Sequence, residues 1–187
     1  MHKKRLLYTL PALLLFLAPA AFAQVNSSSS PAAQGQPVKS IVQIGPMNTS
    51  NYDVTITLLQ TVRGQQAMQM LEAADPANKP PKAGFEYVLA RIRFQLEGRA
   101  VSDIGAFVLG SSPFQWMAYS ADFDQYDKVS VTPPDPVLKG PVKSGQTKEG
   151  WVAFAVPTSE KQPIMTFDPS SGGATGRGNI LFFKLYK

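Results

Sequence analysis

Apolar and polar residues alternate with period two through most of this chain, and no other feature restricts its fold as tightly. In Tyr52-Asp53-Val54-Thr55-Ile56-Thr57-Leu58 the residues Tyr52, Val54, Ile56 and Leu58 share one side, with Asp53, Thr55 and Thr57 on the other. From Phe85 to Leu96 the pattern repeats, with Val88, Ala90, Ile92, Phe94 and Leu96 on one side and Tyr87, Arg91, Arg93 and Gln95 opposite. Successive side chains of a strand point to opposite faces, so each segment reads as a strand with one buried face. Further strands are predicted at Val38–Ile44, Ile104–Leu109, Phe114–Tyr119, Val129–Val131, Gly150–Val156, Ile164–Phe167 and Ile180–Tyr186. Clusters of Gly, Pro, Asp and Ser separate them. Many short antiparallel strands at this spacing build a sandwich or a barrel.

One segment departs from the alternation. After Gly64, the residues Ala67, Met70, Leu71 and Ala74 recur at helical spacing, with Gln65, Gln66, Gln69 and Glu72 opposite. This predicts a short amphipathic helix over residues 65–74, stopped by Asp75-Pro76. Its apolar stripe is expected to cap the open end of a sheet sandwich.

The amino terminus reads as an export signal. Lys3, Lys4 and Arg5 precede the apolar run Leu6–Leu17, and Ala21-Phe22-Ala23 is a small-x-small cleavage site. The expected organisation is a signal peptide at 1–23, a disordered linker at 24–37 and one β domain at 38–187. The linker is Ser, Ala, Gln and Pro, too poor in apolar residues to bury itself. The exported part has 164 residues, enough for a core without covalent staples. No cysteine is present, so disulfides and lipid acylation on cysteine are excluded. No later segment is long and apolar enough to span a bilayer as a helix.

Composition also limits the chemistry. The single histidine, His2, lies in the signal. Nucleophilic triads and dyads built on His or Cys, and zinc sites built on His, are therefore excluded from the exported part. The formal charge of +5 includes three signal-peptide cations; 18 basic residues less those three leave 15 against 13 acidic, a net of +2. That small excess gives no footprint for nucleic acid.

Three sets of residues have a recognisable motif order. Arg63-Gly64-x-x-Ala67-Met68 leads into Ala73-Ala74-x-x-Ala77-Asn78-x-Pro80-Pro81. Gly84-Phe85-Glu86-Tyr87-Val88-Leu89-Ala90 follows. Gly150–Pro157, Pro163, Phe167 and Phe182-Phe183-Lys184-Leu185-Tyr186 close the series. From about Ile41 onward, the chain resembles a family of exported bacterial domains of unknown function, similar in fold to the immunoprotective extracellular antigens. The resemblance implies an all-β, immunoglobulin-like antiparallel sandwich. It implies no reaction, cofactor or catalytic residue. Two features depart from the family pattern: Met68 stands where a large aromatic is expected, and the loop Ser170–Gly178 is long.

Several constellations remain as candidate sites. Asp122, Asp124 and Asp127 offer hard oxygens for calcium. An EF-hand register from Asp122 needs an oxygen ligand and then Gly where Tyr126 and Asp127 stand, so a solvated turn is the plainer reading. Phe114, Trp116, Tyr119, Phe123 and Tyr126 make an aromatic-rich stretch. Phe114 and Trp116 alternate as core residues do, which leaves Tyr119, Phe123 and Tyr126 as a candidate binding surface. Trp151 reads as buried structure. Arg91 and Arg93 share a strand face and, with Lys139, Lys143 and Lys148, can form a basic patch for an anionic envelope polymer. Pro133-Pro134-Asp135-Pro136 reads as an irregular edge that blocks strand pairing. Glycoside hydrolysis needs paired carboxylates, for instance Asp122 with Glu86, but nothing in the sequence sets two acids across a cleft. Gly172–Gly176 lacks the flanking strand, helix and Lys of a phosphate loop.

The expectation is an exported, non-enzymatic immunoglobulin-like domain that binds another protein or a cell-envelope component, with no cofactor. The alternative is a glycan- or calcium-binding sandwich using the Asp122–Asp127 loop.

Overall fold

The structure, a computed structural model, describes residues 26–45, 50–99, 105–171 and 176–187. It is all-β, with antiparallel sheets and one helix. The larger sheet contains β1 (Pro37–Ile44), β2 (Ser50–Arg63), β3 (Phe85–Gly98), β7 (Gln146–Pro157) and β9 (Arg177–Gly178), in the order β7-β3-β2-β1-β9. A smaller sheet has the order β10-β8-β5, from β5 (Trp116–Tyr119), β8 (Ile164–Phe167) and β10 (Leu181–Lys184). A third sheet pairs β4 (Ala106–Leu109) with β6 (Gly140–Lys143).

The sheets close over one core. Its large-sheet side is the alternating set Tyr52, Val54, Ile56 and Leu58 of β2, with Val88, Ala90, Ile92, Phe94 and Leu96 of β3. The opposing sheets supply Phe107, Trp116, Met165, Phe167 and Phe183. Phe167 sits at the aromatic centre, 4.7 Å from Trp116, 5.7 Å from Phe107 and 5.8 Å from Phe94 between ring centroids. These tilted geometries suit the ring quadrupoles.

Helix α1 (Gly64–Ala74) lies elsewhere than expected. It covers the outer face of the larger sheet and does not cap an end. Ala67 and Leu71 join Val62, Tyr87, Leu89, Trp151 and Ala153 in a second buried cluster. The physical reason is that the first half of β3 contains Tyr87-Val88-Leu89-Ala90, apolar at both parities, so this half of the strand needs cover on both faces. Tyr87, placed on the polar side by alternation, is buried there, and its hydroxyl donates to the Lys79 carbonyl at 2.9 Å.

The motif residues knit this layer together. Gly64 has φ +63°, and a Cβ there would come within 2.9 Å of Glu86 Oε2. Arg63 donates to Glu86 Oε1 at 2.6 Å and to the Glu160 carbonyl at 2.9 Å. Buried Asn78 donates to the carbonyls of Leu71 and Thr132, and its Oδ1 accepts from the Thr132 N–H. Arg63, Glu86 and Asn78 thus clamp helix, sheet and loop together.

Other expectations are corrected. Residues 26–36 are not a free tether. Asn26 brackets Phe182, donating to its carbonyl and accepting from its N–H, each at 2.8 Å. Ala32 is buried and bridges Phe183. Composition hid this because backbone and amide hydrogen bonds, rather than apolar side chains, hold the segment. Val129–Val131 forms no strand, although both valines pack on the second cluster. Phe114 falls in the turn before β5 and is 56% exposed, while Gln115 is buried, bonding Val108 and Gly110. The short strands β6 and β9 were not anticipated; glycine and proline mask them. The end of the proline-rich segment, expected as an irregular edge, instead lies against the outer side of β7, where Pro136 and Leu138 bond to Trp151. Gly150 permits that approach, since a Cβ there would meet Leu138 N at 2.5 Å. The proposed signal peptide, and residues 172–175 of the long loop, lie outside the described residues.

Candidate functional site

The smaller sheet turns Trp116, Ala118, Met165, Phe167, Leu181 and Phe183 into the core. Its other face carries Met117, Tyr119, Ile164, Thr166, Phe182 and Lys184, by strand alternation and register. Met117, Ile164 and Thr166 are nonetheless buried. The loop after β5 folds back to bring an aromatic ring over this side. Ser120 starts it: its N–H donates to the Asp124 carbonyl at 2.8 Å, its carbonyl accepts from Phe123 N–H, and its hydroxyl accepts from Asp124 N–H.

That turn forces Phe123 to φ +70°, the one non-glycine positive φ among the described residues. A Cβ-bearing residue there costs about 1–2 kcal/mol. The strain holds a ring that is still 42% exposed. Phe123 stacks on Tyr119 with centroids 4.5 Å apart and planes 8° from parallel, and it meets Phe182 at 5.8 Å. Tyr119, Phe123 and Phe182 therefore form an aromatic strip crossing from β5 to β10. The Asn26 clamp fixes the Phe182 backbone from the far side. Strained backbone beneath exposed aromatic surface is the arrangement expected where presenting a side chain matters more than local stability.

Tyr126, the third aromatic candidate, serves a different purpose. Its hydroxyl donates to Glu160 Oε2 at 3.1 Å. Burial, with the Glu160 carboxylate beside it, pushes the Tyr126 phenol up to about 12. Burial by itself would raise the Glu160 carboxyl. Hydrogen bonds from the N–H of Gln162, the Tyr126 hydroxyl, and the N–H groups of Ala121 and Lys161 outweigh it and hold the carboxyl below its ordinary value. Arg63 links this pair through the Glu160 carbonyl to Glu86, making a tie that fastens the loop to the base of α1.

The remaining candidates disperse. No three acidic or histidine side chains among the described residues gather closely enough to share a metal ion. Asp122 and Asp124 are exposed beside Phe123, and Asp127 turns to Lys82 at 3.7 Å. Glu86 is engaged by Arg63. Arg91 and Arg93 do share a face, but Glu149 of β7 stands between them as a common partner, 3.2 Å from Arg91 and 2.6 Å from Arg93. Lys148 donates to the carbonyls of Lys139 and Pro141. The expected basic patch is therefore largely neutralised or tied down, because the register of β7 against β3 sets Glu149 opposite Arg93.

Sequence reasoning named Tyr119 and Phe123 as candidates and did not name Phe182, whose ring the fold sets beside Phe123. The signal was the doublet Phe182-Phe183: in a strand, two successive rings cannot both face the core. No family model matches the chain, and no curated protein matches it. Among solved structures, it resembles the crystal structure of ycdA, a candidate lipoprotein from Bacillus subtilis subsp. subtilis str. 168. The identity is 10% and the TM-score 0.46, over 70% of this chain and 36% of that one. The chain thus spans about a third of that structure's length, and at this similarity the likeness assigns neither family nor function.

Proposed function

We propose that this chain is an exported, non-enzymatic interaction module with an immunoglobulin-like sandwich, and that a protein partner docks on the strip Tyr119, Phe123 and Phe182. The observation that carries this reading is Phe123, a large ring kept 42% exposed on a left-handed backbone. Aromatic rings dominate the energetics of protein interfaces because they bury much area at little entropic cost. The basic and apolar amino-terminal run supports export. The absence of cysteine, and of histidine beyond residue 2, supports a role in binding and not in catalysis.

The test is affinity capture from envelope and secreted fractions with wild type, Phe123→Gly and the helix-surface control Gln66→Ala. A protein held by wild type and Gln66→Ala and lost by Phe123→Gly supports the reading. Capture of glycan in that pattern would replace it with the carbohydrate-stacking alternative. A partner indifferent to Phe123→Gly would remove the strip from the function.

A further inference from the structure

Strand β1 lies next to one end of the larger sheet and is only partly covered on its outer side. It pairs with β2 from Pro37 to Ile44, but on its other side β9 reaches only Val42 and Gln43. Among the described residues no strand pairs with Pro37–Ile41 on that side. Two open clefts flank the uncovered stretch, of about 610 and 560 Å³, and Lys39 lines both. Ser40, at an inward position of β1, is only half-buried, and Ile41 is 43% exposed.

The direction of the free hydrogen-bonding groups follows from the ladder. Arg99 N–H donates to the Asn51 carbonyl, so odd-numbered residues in this part of β2 face β3 and even-numbered ones face β1. Val38 pairs with Ile56 and Ser40 with Val54. Lys39 therefore aims its N–H and C=O at the open side. The charge around that edge is net positive: Asp53 also lines the first cleft, but it is offset there by Arg99. Lys39 and Arg177 line the first cleft, and Lys39 and Lys184 the second. None of the three has a carboxylate partner among the described residues, whereas Asp53 is taken by Arg99 at 2.8 Å.

We propose that the free edge of β1 is a strand-addition site for an extended acidic peptide segment, separate from the aromatic strip. Backbone groups of Lys39 supply the ladder, and Lys39, Arg177 and Lys184 supply the charge selectivity. A second copy of this chain is disfavoured as occupant, because antiparallel pairing centred on this stretch sets Lys39 against its own copy.

The test is fluorescence anisotropy of the purified protein with a short labelled peptide alternating Glu with Val, against the same peptide with Lys for Glu. The Glu peptide is expected to bind at low salt and weaken as salt rises, and the Lys peptide to stay free. Lys39→Ala removes one charge and should weaken binding about three-fold, whereas Lys39→Pro also deletes the outward N–H and should weaken it roughly tenfold or more. Equal effects of the two substitutions, equal binding of both peptides, or no binding at low salt would each overturn the proposal. Should Lys39→Pro disturb folding, hydrogen exchange at the wild-type Lys39 amide decides the matter. Peptide must slow it, and an unchanged rate in the presence of bound peptide refutes strand addition.

Discussion

Replacing Phe123 by Gly and, separately, by Ala separates the strain in its backbone from the contacts of its ring. Both substitutions remove the same ring. With three-fifths of it covered, the lost burial is worth about 1–2 kcal/mol, and the lost stacking on Tyr119 about 0.5–1.5 kcal/mol. These losses cancel in the comparison. What remains is the left-handed backbone at φ +70°. Ala keeps a Cβ there and retains a cost of about 1–2 kcal/mol. Gly relieves it but returns about 0.5–1 kcal/mol through its greater freedom in the unfolded chain. Phe123→Gly should therefore be more stable than Phe123→Ala by about 0.5–1 kcal/mol. In urea, with a slope near ~2 kcal/mol/M, its midpoint should lie roughly 0.3–0.5 M higher. At an ordinary negative φ the order reverses, because Ala then restricts the unfolded chain without strain in the folded one. An Ala variant as stable as the Gly variant, or more so, refutes the claim that the Ser120–Asp124 turn forces Phe123 into its exposed position.

Two further outcomes follow from the polar ties. The Tyr126 hydroxyl titrates near 12 in the folded protein against an ordinary value of 10.0. Its contribution to stability is fully present below pH 10 and is lost as pH climbs through about 12. Thermal unfolding across that range should show a downward slope that Tyr126→Phe reduces; an unchanged slope would dissociate Tyr126 from the alkaline transition. Asn78→Ala leaves the Thr132 N–H without its partner and removes the donors to the Leu71 and Thr132 carbonyls. It should destabilise the protein by about 2 kcal/mol in denaturant titration, and a loss under about 0.5 kcal/mol would mean that the loop is held by other contacts.

Local pattern alone determined the all-β class, the inner faces of β2 and β3, and the helix after Gly64. A side chain's parity in a strand or position on a helix stripe is decided by neighbours a few residues away, so it can be read along the chain. Tyr119 and Phe123 were legible as candidates for the related reason that aromatic residues beyond the core's alternation stand out. Tertiary structure alone decided which surface the helix covers, since Leu71 meets Leu89 and Trp151 only once β3 and β7 are paired. It likewise joined Phe182 to Phe123, neutralised Arg91 and Arg93 with Glu149, and fastened residues 26–36 to β10 through Asn26. Each of these depends on register between distant strands or on hydrogen bonds between distant backbones. Residue identity constrains such pairings only weakly, because any backbone can supply the same donors and acceptors and a shift of register changes every cross-strand partner.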